Sequence, residues 1–240
     1  MTNIVGIVQA RMGSTRFKNK SMAYFNGYPI VYWLLKRGLK SKKINKLIFA
    51  IPNTEDNDIL EIYLKKFKVG IYRGDEFDLV KRYLNAAKKF NASHIVRICA
   101  DNPLISGKEI DILINKYFQL KPDYIFNHMS YCKWEKSKKK NFINSYPDGL
   151  GAEMCSLELM KIIDKKAKKK SHREHIFNYL FEAKENYKIC TFNPPDKKIR
   201  FPEIKLDFDT YTDYINLLKK PYKINMSSRN IVNLYLNKKI

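Results

Sequence analysis

KLIFAIPNTEDNDILEIYLKKFKVGIYRGDEFDLVKRYLNAAKKFNASHIVRIC, residues 46–99, decides the fold class. KLIFAIP at 46–52 is a continuous apolar run closed by proline, which predicts a buried strand. DNDILEIYLKKF at 56–67 has the spacing of an amphipathic helix, and VGIYRG at 69–74 returns to strand. DLVKRYLNAAKKF at 78–90 is a second helix, and HIVRIC at 94–99 a third strand. Strands alternating with helices at this interval predict a parallel sheet with helices on both faces. Ligands of such sheets sit outside the carboxyl ends of the strands.

The rhythm extends in both directions. IVGIVQ at 4–9 reads as a strand, and YPIVYWLLKRGLK at 28–40 as a helix with Ile30, Trp33, Leu34 and Arg37 on successive turns. KEIDILINKYFQL at 108–120 predicts a helix and DYIFNH at 123–128 a strand. Residues 129–150 break the pattern with a lysine run and the turn-like YPDGLG, and we expect an excursion there, a β-arm over the active site or at a dimer contact. Residues 153–169 and 172–183 read as helices, 204–210 (IKLDFDT) as a late strand re-entering the sheet, and 212–220 as a helix. No internal repeat or long linker interrupts the chain, so residues 1–240 are expected to form a single domain.

Composition narrows the classes. Hydrophobic residues make up 45% of the chain, enough for a substantial core, so disorder is not the dominant state. No apolar run approaches the roughly 18 residues of a membrane span, and the start Met-Thr-Asn-Ile-Val has no basic leader. Cys99, Cys132, Cys155 and Cys190 show no C-x-x-C spacing, against a zinc knuckle or a disulfide framework. These features predict a reduced, cytoplasmic protein. Lys+Arg number 46 against 24 Asp+Glu, a formal charge of +22. The lysines are spread along the chain with many Asn and Ile residues, as AT-biased coding produces, and the dense runs at 136–140 and 165–170 read as solvated faces. Neither nucleic acid nor a membrane surface is expected as partner, because a basic face with interleaved aromatics or a basic amphipathic helix is missing from the pattern. A phosphate-bearing small ligand suits the positive field.

Three segments carry chemistry. GIVQARMGSTRFKNK at 6–20 ends a strand in a loop whose Gly13, Ser14 and Thr15 offer N–H groups and hydroxyls to phosphate, with Arg11, Arg16 and Lys20 as cations. It lacks the G-x-x-x-x-G-K-[ST] and G-x-G-x-x-G spacings, and a surface loop with incidental basic residues explains it nearly as well. RICADNPLI at 97–105 places Asp101 at a strand end, where a magnesium ion on nucleotide phosphates would sit, or where Asp caps the following turn. KLDFDTYTD at 205–213 puts Asp207 and Asp209 on one strand face, where a divalent cation would relieve their repulsion; an exposed face or a helix cap is the other reading. His172 and His175 in HREH lack the H-E-x-x-H spacing of a zinc site, so no zinc is expected.

Taken in order, QARMGSTR with Lys20, RGDEFDLVKRY, RICADNPLI, YPDGLGAEM, HREH and LDFDTYTD resemble the SpsF-like cytidylyltransferases over nearly the whole chain. These spore coat polysaccharide proteins are related to the enzymes that activate 3-deoxy-manno-octulosonic acid and acylneuraminates. The resemblance implies a Rossmann-like three-layer α/β/α nucleotidyltransferase that moves CMP from CTP to an acidic or phosphorylated sugar-type acceptor, releases pyrophosphate, uses Mg²⁺ and works as a homodimer. It implies that Ala10, Arg11, Met12, Gly13, Ser14, Arg16, Lys20, Arg97 and Asp101 bind nucleotide, with Arg16, Lys20 and Asp101 catalytic. Asp101 and Asp209 are the implied metal carboxylates, with Asp207 less secure. Asp148, Glu153, Arg173 and His175 are placed toward the acceptor, although a plain turn at 148–149 is an equal explanation and a helix-start cap network is the better one for the pair at 172–175.

Two departures stand out. The family pattern has Leu-Pro-Gly where this chain has Phe17-Lys18-Asn19, and DTPED where this chain has DTYTD at 209–213. The first alters the backbone freedom of the phosphate loop. A non-catalytic nucleotide- or sugar-binding relative is the alternative reading; it predicts loss of Asp101 or Arg16, and both are present.

Overall fold

The computed structural model describes residues 2–14, 16–127 and 144–237. The chain opens with β1 (Ile4–Gln9), a small hairpin of β2 (Tyr24–Phe25) and β3 (Tyr28–Pro29), and α1 (Ile30–Gly38). It continues through β4 (Lys46–Pro52), α2 (Asp58–Leu64), β5 (Gly70–Gly74), α3 (Leu79–Lys89), β6 (His94–Cys99), α4 (Gly107–Leu120) and β7 (Tyr124–Phe126). After residue 144 come β8 (Glu153–Ser156), α5 (Leu157–Lys166), α6 (Lys170–Glu174), α7 (Asn178–Glu182), β9 (Ile189–Thr191), α8 (Tyr211–Leu218) and α9 (Ser228–Tyr235).

Seven strands form one sheet in the order β5-β4-β1-β6-β8-β7-β9. β1 pairs in parallel with β4 and β6, and β4 with β5; β8 is antiparallel to both its neighbours. The chain steps outward from β1 to β4 and β5, then returns to β6 on the other side of β1. That reversal makes the β1/β6 boundary a switch point, where the two outgoing loops diverge and leave a crevice. Gln9 and Cys99, the last residues of the two strands, lie opposite one another, so residues 10–20 and 100–106 leave the sheet side by side.

The strand period sorts side chains into two cores. Ile4 and Val8 of β1 join Phe49, Ile51, Val96 and Ile98 under α1, α2, α4 and α9, whereas Val5 and Ile7 join Ile48, Ala50 and Ile95 under α3, α5 and α7. Helices therefore cover both faces, and the mainly parallel three-layer arrangement expected from residues 46–99 is the observed one.

Some elements differ from expectation. EMCS at 153–156 is a strand rather than the start of a helix: it is sandwiched between β6 and β7, and Ser156 then caps α5 by accepting from the Leu159 N–H at 3.1 Å. Residues 172–183 form two short helices, because the break at 175–177 lets both Ile176 and Phe177 turn into the second core. Residues 204–210 are extended but are not a sheet strand. They are stitched to the turn at Asp148 by a single bridge and then to residue 101, where the Phe208 N–H donates to the Asp101 carbonyl at 2.9 Å. β9 and α9 were not anticipated. Much of the expected excursion at 129–150 lies outside the described residues, which resume at 144 with the YPDGLG turn.

Candidate active site at the strand ends

A cleft of about 850 Å³ opens at the β1/β6 switch point. Ala10 follows β1 as a buried residue, its N–H reaching the Ala50 carbonyl at 3.4 Å, and Arg11 comes next, exposed on the cleft wall. Met12 turns inward instead: its side chain joins the core, its N–H donates to Asn57 Oδ1 at 2.9 Å, and its carbonyl accepts from Ser14 and Asn19 at 2.9 and 3.1 Å. Met12 thus pins the loop, and Ser14, Arg16 and Lys20 reach the cleft from it. Gly13 is exposed, and a Cβ there would come no closer than 3.6 Å to Asp56 Oδ2, so packing does not require glycine. Thr15 lies outside the described residues.

Asn19 explains how the loop survives without the family's glycine. It sits at φ 59°, ψ 19°, the left-handed region, which asparagine tolerates better than other side-chain-bearing residues.

At the mouth of the cleft, cations and carboxylates converge from opposite halves of the chain. Lys20 Nζ donates to the Phe208 carbonyl at 2.9 Å and lies 3.8 Å from Asp101 Oδ2. Arg16 Nη2 is 3.8 Å from Asp209 Oδ1. Lys205 Nζ reaches Asp213 at 2.5 Å, Asp209 at 3.2 Å and Asp207 at 3.8 Å. Asp207 is 7% exposed, and its Oδ1 has no hydrogen-bond partner. Burial, then the carboxylates of Asp148 and Asp209, push its pKa up to about 8 despite Lys205, with Asp101 adding to the rise. Asp148 is carried in by Gly149, whose φ of +95° makes the turn and whose Cα packs against the Leu206 backbone, where a Cβ would sit 2.8 Å from the carbonyl carbon.

These are hard oxygen donors crowded by like charge. Among the described residues no three metal-binding side chains form a ready-made cage. Two carboxylates are enough for Mg²⁺ when phosphate oxygens complete its shell, and mutually repelling carboxylates with one buried oxygen, Asp207 Oδ1, lacking a hydrogen bond fit a cation that arrives with phosphate.

The other expected residues are distributed unevenly. Arg97 lines the cleft but is paired with Glu153, and Glu153, which is buried, also accepts from Tyr124 Oη at 2.7 Å. His175 lines the far end with Lys170 and Glu174. Arg173 is not brought to the cleft: it pairs with Asp78 and, at 2.7 Å, with Asp164, tying α6 to the cap of α3 and to α5. Cys99 faces the cleft, and burial pushes its thiol up, which leaves it unsuited to act as a nucleophile.

Two residues were missed. Lys205 shares the period-2 face of Asp207 and Asp209, so the alternation that singled out the carboxylates also marks the lysine. Arg82 is 3% exposed on the cleft wall, with Nη1 donating to the Asp75 and Glu76 carbonyls at 2.8 and 3.3 Å and Nε unpartnered. Among the described residues it forms no ion pair. Its signal was a charge on the apolar stripe of Leu79, Val80 and Tyr83.

The chain is 34% identical to an uncharacterised protein of Methanocaldococcus jannaschii, over 95% of this chain and 88% of that one. It is 26% identical to the spore coat polysaccharide biosynthesis protein SpsF of Bacillus subtilis, over 89% and 84%. The solved structure of a cytidylyltransferase from Leptospira borgpetersenii superposes with a TM-score of 0.84 at 27% identity, covering 99% of this chain and 95% of that one. A CMP:2-keto-3-deoxy-manno-octonic acid synthetase complexed with CTP shares the fold, with a TM-score of 0.64 at 10% identity over 91% and 98%. The cytidylyltransferase family profile matches residues 5–230, and the chain belongs to that family.

Proposed function

We propose that the protein transfers CMP from CTP to an acidic or phosphorylated sugar-type acceptor and releases pyrophosphate, in the assembly of surface glycans. One observation carries the reading: Asp101, Asp207 and Asp209 meet Arg16 and Lys20 in a single cleft, with Lys205 paired to Asp207 and Asp209 beside it. An acceptor oxygen would attack the α-phosphorus while the bond to the β-phosphate oxygen breaks and pyrophosphate departs with the electron pair. Arg16 and Lys20, on one loop, would bind the triphosphate and offset the charge that builds on the leaving group. Asp101 with Asp209 would hold Mg²⁺, which supplies charge neutralisation at the reacting phosphate. Asp148 and His175 line the same cleft and would face the acceptor; with a phosphate or carboxylate acceptor no proton has to be removed. The names of the relatives support the glycan setting and the cytidine nucleotide. Among the described residues no helix is long and apolar enough to cross a membrane, which suits cytoplasmic work on small molecules. We propose in addition a homodimer, which light scattering on the purified chain tests directly.

The activity test is pyrophosphate release from CTP, Mg²⁺ and a panel of ulosonic acids and sugar phosphates. Release with CTP and one acceptor, lost in Asp101→Asn, is the expected result. Calorimetry showing no CTP binding with or without Mg²⁺ would sink the reading.

A further inference from the structure

The two departures from the family pattern meet in space. The Phe17 ring packs edge-on against Tyr211, with centroids 5.5 Å apart at 82°, and tilted against Tyr214 at 5.0 Å. Tyr211 and Tyr214 touch each other at 5.8 Å, and Tyr214 meets Phe208 edge-on at 5.5 Å. Phe208 in turn stands against the buried Phe25 at 5.2 Å, and Tyr214 Oη donates to the Tyr24 carbonyl. A continuous run of aromatic rings thus joins the half-buried Phe17 to the core beneath the β2–β3 hairpin.

The position of this run is informative. Phe17 directly follows Arg16, which faces Asp209, and precedes Lys20, which spans Asp101 and the Phe208 carbonyl. Both polar links therefore connect the same two segments as the ring contacts, residues 16–20 and 207–214. Arg16 itself is largely exposed and its link to Asp209 is long, so the ion pair alone holds the loop weakly. The apolar contact at Phe17 is the part of this junction that does not depend on charge.

We propose that Phe17 is a positioning residue, clasped by Tyr211 and Tyr214, that fixes Arg16 and Lys20 in place before nucleotide arrives. A clasp that forms without nucleotide would remove an ordering cost on binding. Its loss weakens nucleotide binding in ground state and transition state alike, raising KM with little change in kcat. The kinetic half of this proposal rests on the function proposed above; the contact between loop and helix does not.

The test uses the full chain as wild type, Phe17→Ala, Phe17→Tyr, Tyr211→Ala and the double alanine variant. Two readouts are taken: the rate of trypsin cleavage after Arg16 and Lys18 without nucleotide, and KM and kcat for CTP. Phe17→Ala is expected to speed cleavage and raise KM about threefold to tenfold, the range that coupling between aromatic rings produces. Phe17→Tyr should restore both, and the double variant should add little to either single change. Unchanged cleavage in Phe17→Ala, strictly additive effects in the double variant, or a fall in kcat at constant KM would overturn the proposal. If the wild type turns over no nucleotide, the reading of the site fails, while the cleavage rates alone still decide whether the ring holds the loop.

Discussion

Asn19 occupies the left-handed region in the loop that follows β1, and its consequences are testable at the level of one side chain. Asn19→Gly should leave KM for CTP and the midpoint of denaturation nearly unchanged. Asn19→Val should cost about 1–3 kcal/mol of stability by urea titration, since a β-branched residue is strained at positive φ. Asp101 and Arg82 differ in kind. Asp101→Asn removes a charge from the proposed metal site and should lower kcat by about 10²–10³-fold, the scale for losing a preorganised electrostatic group. Arg82→Gln removes a buried cation with no ion pair among the described residues; the expected outcome is a higher KM for substrate in steady-state assays with a smaller effect on kcat.

At the scale of elements, the helix that backs β6 is held by a buried carboxyl. Glu109 in α4 accepts from Tyr146 Oη and Ser228 Oγ, each at 3.0 Å, so it ties α4 to the 146 turn and to the start of α9. Burial raises its pKa above the ordinary glutamate value, against the lowering effect of both hydroxyls. The folded state therefore binds more protons than the unfolded state between the ordinary value and the raised one. Stability from this group is greatest below that window and falls as pH rises through it. In urea titrations at several pH values, Glu109→Gln should lack this fall and gain on wild type toward neutral pH. Arg37 is the other such tie: buried in α1, it donates to the carbonyls of Ile105 at 2.7 Å, Ile224 at 2.8 Å and Met226 at 3.0 Å. Arg37→Met leaves three acceptors wanting and should cost about 3 kcal/mol. In sequence it was one polar residue on an apolar helix face, and nothing local showed which distant carbonyls it serves.

Over the whole molecule, the +22 charge bears on the proposed nucleotide substrate. A field of that sign draws a triphosphate toward the cleft and is screened by salt within about 10 Å at 0.1 M. KM for CTP should therefore rise several-fold, on the order of a decade of added NaCl, with kcat nearly constant; a salt-independent KM would assign recognition wholly to short-range contacts. Residues 46–99 and the ordered motifs determined the fold class and the family by themselves. Hydrophobic periodicity is local, and each strand or helix there carries its own signal in consecutive residues. The sequence also marked Asp101, Arg16, Lys20 and the pair at 207 and 209, because their types suit phosphate chemistry. Only the tertiary structure decided that β8 is a strand, that Arg173 braces α3 instead of facing the cleft, that Arg82 lines it, and that Lys205 pairs with its carboxylates. It alone brought Phe17 to Tyr211. Those facts depend on contacts between segments far apart in the chain, and no pattern of neighbouring residues encodes which distant partner a side chain meets.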